Sequence, residues 1–171
     1  MSRQANCDQT VAGHLARGGH DGPVPARTIE LHHGDHLIST DPARVDVEAV
    51  HRWLSEEAYW AVGRTVETQR RAIEHSALVV GAYDASGGQV GFARMVTDLA
   101  TFAWLADVYV IAAARGTGLG TAMVETIVEH PDVVSVARHL LATRDAHDLY
   151  ARFGYERLTE PDRWMVRRGP V

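Results

Sequence analysis

The sequence predicts an α/β (α+β) domain: one mixed β-sheet with helices on both faces. Three observations carry this reading. Two apolar-rich runs, 77–84 and 89–97, flank Ala85-Ser86-Gly87-Gly88, a turn chemistry that permits positive φ and so joins neighbouring strands as a hairpin. The run 101–110 alternates strictly, with Phe102, Trp104, Ala106, Val108 and Val110 on one face and Ala103, Leu105, Asp107 and Tyr109 on the other. Segments of helical periodicity lie before, between and after these runs, so the elements read β-α-α-β-β-β-α-β-α-β-β.

Taken in order, 28–40 gives two short apolar-alternating pieces around Gly34-Asp35 and reads as a first strand, after which Asp41-Pro42 interrupts. Asp46 is placed to cap a helix carrying Val47, Val50 and Leu54 on one side, and Thr65 to cap a second that runs to about His75. Between them, Tyr59 and Trp60 sit in a linker outside any apolar repeat, an arrangement that suits a pocket wall. After the hairpin and the long strand comes a glycine loop, then a helix in which Leu119, Met123 and Ile127 recur every four residues until His130-Pro131. A strand over 133–142, a short helix over 146–153 closed by Gly154, and closing strands over 155–158 and 164–167 complete the expectation.

A chain of 171 residues is long enough for one self-supporting core. Residues 1–27 hold too few large apolar side chains to offset the entropy of ordering them and read as a disordered extension, leaving 28–171 as the domain. A formal charge of −5 without any Lys/Arg run argues against nucleic acid as a partner. No apolar stretch has the length of a secretory h-region or a bilayer span, so no membrane is expected. The single cysteine, Cys7, cannot form an intramolecular disulfide, which fits a reducing cytoplasmic setting. A homodimer is compatible with all of this. His32-His33-Gly34-Asp35-His36 contains metal-ligand types, but the spacing matches no zinc pattern and no metal is expected.

The chemistry concentrates in Arg115-Gly116-Thr117-Gly118-Leu119-Gly120, where a strand turns into a helix. Glycines at alternate positions remove side chains where backbone must approach a ligand, and the first N–H groups of a helix lack intrahelical acceptors. Together with the helix dipole they favour a phosphate or pyrophosphate, and Arg115 adds a fixed positive charge. Thr121 stands where a Walker loop or a dinucleotide fold would need Lys or a third glycine, so neither nucleotide fingerprint fits. By itself such a loop is equally well a tight turn.

This hexad resembles the Q/R-x-x-G-x-G/A signature of the GNAT superfamily of acetyl-CoA-dependent N-acetyltransferases. Downstream, Ala146-His147-Asp148-Leu149-Tyr150-Ala151-Arg152-Phe153-Gly154-Tyr155 is similar to that family's A-x-x-L-Y-x-x-x-G-F/Y segment. The resemblance implies a twisted GNAT-like mixed sheet and acetyl-CoA as co-substrate. It places the cofactor against Val108, Tyr109, Val110, the segment Arg115, Gly116, Thr117, Gly118, Leu119, Gly120 and Thr121, and Asp145 and Tyr150. Asp145 departs from the Asn that many members carry. The implied activity is direct transfer of the acetyl group to a primary amine of a small molecule or peptide, with Tyr150 as general acid on the CoA thiolate. Tyr150 also falls in an i, i+3, i+4, i+7 pattern with Ala146, Leu149 and Phe153 that a packed core would explain.

An amine near pKa 10.4 must lose a proton before attack. Asp107 is the preferred base as the one acid of the central strand, with Glu56, Glu57 or a water relay as rivals. Trp53, Tyr59 and Trp60 are candidates for the acceptor wall. Arg94, Arg144 and Arg152 are candidates for the cofactor phosphates, against a default of solvated surface. The competing reading is a non-catalytic acyl-CoA sensor, which would keep the loop without turnover.

Overall fold

The computed structural model describes residues 26–167 and 169. Six strands form one sheet in the order β1 (Glu30–His33), β2 (His36–Ser39), β3 (Leu78–Tyr83), β4 (Gln89–Thr97), β5 (Ala103–Val110) and β6 (His139–Leu140). Every pairing is antiparallel except β5 with β6, which makes the sheet mixed. The helices are α1 (Val47–Glu57), α2 (Val66–Glu74), α3 (Leu119–Val128) and α4 (His147–Ala151).

The local determinants act as the residues suggest. Asp46 accepts from the Ala49 N–H at 3.0 Å and Thr65 from the Thr68 N–H at 3.2 Å, each satisfying an orphan donor at the start of α1 and α2. In the β3–β4 turn, Asp84 accepts from the N–H groups of Ser86 and Gly88, and Gly87 takes φ 85°. Apolar side chains fill both faces of the sheet. Ile38, Val80, Met95 and Leu105 pack against Leu119, Met123 and Ile127 of α3, while Val79, Phe92 and Tyr109 pack against Val50, Trp53 and Leu54 of α1 and Ile73 of α2.

Several elements depart from the sequence reading. The first strand is a two-strand hairpin, because Gly34 at φ 58° turns the chain between His33 and His36. The strand expected over 133–142 shrinks to His139–Leu140, since the N–H groups of Val133, Val134 and Val136 bond back to the carbonyls of His130 and Val133 and form turns. Neither closing strand forms: 155–158 has no ladder, Pro161–Arg163 is a 3-10 turn, and Met165 is 97% exposed, so no sheet edge receives this alternating pattern. Two residues assigned to the N-terminal extension by the sequence reading, Ala26 and Arg27, contact the domain. Ala26 packs on the core, the Arg27 carbonyl accepts from the His130 ring Nε2 at 2.7 Å, and the Arg27 N–H donates to Asp132 at 2.9 Å. Residues 1–25, with Cys7, lie outside the described residues.

Candidate active site

The centre of the site is an irregularity in β5. Phe92 faces Tyr109 and Arg94 faces Ala106, so Asp107 and Val108 together stand opposite Ala93: a β-bulge. The inserted residue reverses the alternation. Before it, Ala103 and Leu105 face α3; after it, Val108 and Val110 take that face and Tyr109 turns to α1. The single face expected for Ala103, Leu105, Asp107 and Tyr109 therefore does not exist.

Asp107 itself adopts φ 54°, a left-handed conformation that Asp tolerates better than most residues. Its carboxylate is buried and fully engaged. Arg64 donates from Nη1 to Oδ2 at 2.7 Å and from Nη2 to Oδ1 at 3.2 Å, Arg94 Nε donates to Oδ2 at 2.7 Å, and Trp60 Nε1 donates to Oδ1 at 3.1 Å. Burial alone would raise the carboxyl pKa, but the hydrogen bonds and charges of Arg64 and Arg94 outweigh it and hold the group below its ordinary value. A carboxylate so held is a poor proton acceptor and a strong anchor for the Trp60–Arg64 loop.

The rival acids stand differently. Glu57, at the end of α1, accepts from the Tyr109 hydroxyl, and both Glu56 and Glu57 are exposed. Burial, helped by this carboxylate, pushes the Tyr109 hydroxyl up to about 12. Trp53 stacks on the Tyr109 ring at 5.8 Å and is buried.

Beyond Trp104 the sheet opens. The β5–β6 ladder consists of Ala103 with His139 and Trp104 with Leu140, and among the described residues no strand pairs with β5 on that side from Leu105 to Val110. The open edge leads to the glycine loop. Gly116 and Gly118 take φ 79° and 84°, and Gly118 is the N-cap of α3 with no side-chain cap. Among the described residues, no acceptor is recorded for the N–H groups from Gly116 to Thr121. They border a recess of about 310 Å³ that Val110, Arg115 and Leu149 also line. Arg115 places its Nε on the Val110 carbonyl at 2.7 Å and its guanidinium over the Tyr109 ring.

Tyr150 comes from α4. It is buried against the core, and burial followed by the neighbouring Tyr59 and Asp145 pushes its hydroxyl up to about 12. Tyr59 bridges the two halves, accepting from the Arg144 N–H at 2.9 Å beneath the Arg144 guanidinium. Asp145 is exposed beside Arg144 and does not cap α4, whose N-cap is Ala146 with its N–H on Thr143 Oγ1. Arg94 is committed to Asp107, and so is removed from the candidates for the phosphates.

With this geometry in hand, the chain can be set beside known proteins. A family model described as an acetyltransferase (GNAT) domain matches residues 74–157. A solved structure of a candidate GNAT-family acetyltransferase from Xanthomonas campestris pv. campestris is 41% identical, covers 79% of this chain and 94% of that one, and superposes with a TM-score of 0.75. The chain belongs to the GNAT family. A curated candidate acetyltransferase of Gibberella zeae is 31% identical over 113 residues, which span 56% of this chain and 64% of that relative. At the level of fold alone, a Clostridium acetobutylicum acetyltransferase structure described with acetyl-CoA has 13% identity and a TM-score of 0.59, with 78% of this chain and 94% of that one covered.

Within the GNAT match lie the bulge, the glycine loop and Tyr150, whereas α1, Trp60 and Arg64 precede it. The family model thus covers the part of the chain that carries the loop. Sequence reasoning missed Arg64 as the partner of Asp107 and the role of Arg94, because nothing in the spacing distinguishes a buried arginine from a solvated one.

Proposed function

We propose that this GNAT protein transfers the acetyl group of acetyl-CoA directly to a primary amine of a small molecule or peptide. The observation that carries the reading is the unpaired edge of β5 running from the bulge into a loop of uncommitted N–H groups. Acetyl-CoA supplies the activated thioester. The N–H groups of Gly116 to Thr121 would hold its pyrophosphate, for which two left-handed glycines and the absence of side chains leave room. The β5 edge between Val108 and Val110 would receive the acyl end, where a preorganised N–H stabilises charge on the thioester oxygen.

In the reaction the amine nitrogen forms its bond to the acetyl carbon as the carbon–sulfur bond breaks. The amine proton passes to the Glu57 carboxylate, directly or through water, with Tyr109 holding that carboxylate in place. The departing thiolate takes the Tyr150 proton. Asp107 is assigned an anchoring role, since two arginines neutralise it. Tyr59 and Trp60, both partly exposed on the anchored loop, wall the acceptor side. The alternative of a non-catalytic acyl-CoA sensor leaves the buried, protonated Tyr150 without a task.

Incubation with acetyl-CoA and a panel of amines, read by free thiol release, tests the activity. CoA binding without amine-dependent thiol release would favour the sensor, and absence of CoA binding would reject both. Gly118→Ala tests the loop. A left-handed conformation costs an L-residue about 1–2 kcal/mol, and the new Cβ would meet His33 Nε2 at 3.3 Å. CoA affinity measured by calorimetry is therefore expected to fall about 5- to 30-fold, following that strain.

A further inference from the structure

The motif His32-His33-Gly34-Asp35-His36 contributes one contact that the proposed chemistry does not yet use. His33 ends β1, at the turn of an edge hairpin, and its Nε2 lies 2.9 Å from the Thr117 carbonyl oxygen, 84 residues later in the chain. The same ring lies beside Gly118, the N-cap of α3, where an added Cβ would come within 3.3 Å of Nε2.

We propose that His33 is a positioning residue for coenzyme A, acting by fixing the orientation of the Thr117–Gly118 peptide; the inference rests on the acetyl-CoA reading given above. In a trans peptide the C=O and the following N–H point to opposite sides. With a proton on Nε2 the imidazole donates to the Thr117 oxygen and holds that carbonyl on the hairpin side. The Gly118 N–H is then directed away from the hairpin, toward the recess bordered by Gly116, Gly118 and Thr121.

This peptide needs such a hold. Turning it changes ψ of Thr117 and φ of Gly118; Gly118 sits at φ 84°, and glycine populates both hands of the backbone, so on that side the peptide can rotate at little cost. Thr117 Oγ1 donates to the Ala114 carbonyl at 2.9 Å, which fixes its side chain and leaves the carbonyl free to turn. A rotated peptide would aim the Thr117 oxygen, a partial negative charge, at the pyrophosphate. The hairpin thereby contributes to binding a ligand it does not touch.

The test compares wild type, His33→Ala and His33→Gln by calorimetry with CoA and by steady-state kinetics with acetyl-CoA and with S-acetylpantetheine, which lacks the pyrophosphate. His33→Ala is expected to weaken CoA binding and raise KM for acetyl-CoA about 2- to 12-fold, the worth of one net hydrogen bond, with kcat at saturation held within about twofold. The Gln amide restores a donor and is expected to recover most of the loss. Turnover of S-acetylpantetheine should be the same in all three proteins. Unchanged CoA affinity in His33→Ala, or an equal loss with S-acetylpantetheine, overturns the inference while leaving the acetyl-CoA reading intact. Failure of the wild type itself to bind CoA overturns both.

Discussion

Asp107→Ala is expected to lower the free energy of unfolding by about 3–5 kcal/mol, the cost of removing one partner from a buried ion pair. The loss is large because two guanidiniums lose their counter-charge at once: Arg64 and Arg94 have side chains only 18% and 14% exposed. Against a total stability of about 5–15 kcal/mol, the change is severe. For a domain of this size it corresponds to a fall in Tm of about 6 to 20 °C. The pH dependence has a defined sign. Because the folded-state pKa of Asp107 lies below its ordinary 3.8, its contribution is fully present above that value and is lost as pH falls through the lower folded value. Thermal unfolding followed between neutral pH and pH 3 should therefore show a wild-type acid destabilisation that is smaller in Asp107→Ala. If Asp107→Ala melted like wild type yet lost turnover, the anchoring role would be wrong and the carboxylate would be a proton acceptor after all.

The same cluster marks where sequence reasoning stops. The caps at Asp46 and Thr65, the Asp84–Gly88 turn and the glycine loop depend on contacts within a few residues, and local chemistry makes them readable. The bulge at Asp107 does not. One inserted residue reverses which side chains face α1 and which face α3, and no composition signal announces it, so strict alternation through 101–110 placed Asp107 on the same face as Leu105. The partners of Asp107 come from 43 and 13 residues away, and the His33 contact spans 84. The closing strands failed for the opposite reason. Alternating apolar residues over 155–158 and 164–167 describe a side-chain pattern, whereas a strand also requires a neighbouring edge to bond, and the edge strand β6 is only two residues long.

Tyr150→Phe is expected to reduce kcat by about 10²- to 10⁴-fold, the range for losing a positioned general acid, while the calorimetric Kd for CoA stays within about twofold. The separation follows from where the hydroxyl acts. Pyrophosphate binding belongs to the loop from Gly116 to Thr121, and the phenol contributes only when sulfur departs with a developing negative charge. The ring that packs against Tyr155 at 6.0 Å is retained in Phe, so the core around α4 should be preserved and the thermal midpoint little changed. Burial pushes the Tyr150 hydroxyl up to about 12, which keeps it protonated throughout the working range. The wild-type kcat profile should accordingly show no fall assignable to Tyr150 until pH approaches that value, and any limb seen near neutrality should belong to the amine or to the acid that accepts its proton. Equal turnover by Tyr150→Phe would leave the phenol as a packing residue, as its i, i+3, i+4, i+7 pattern already permits, and would pass protonation of the thiolate to solvent.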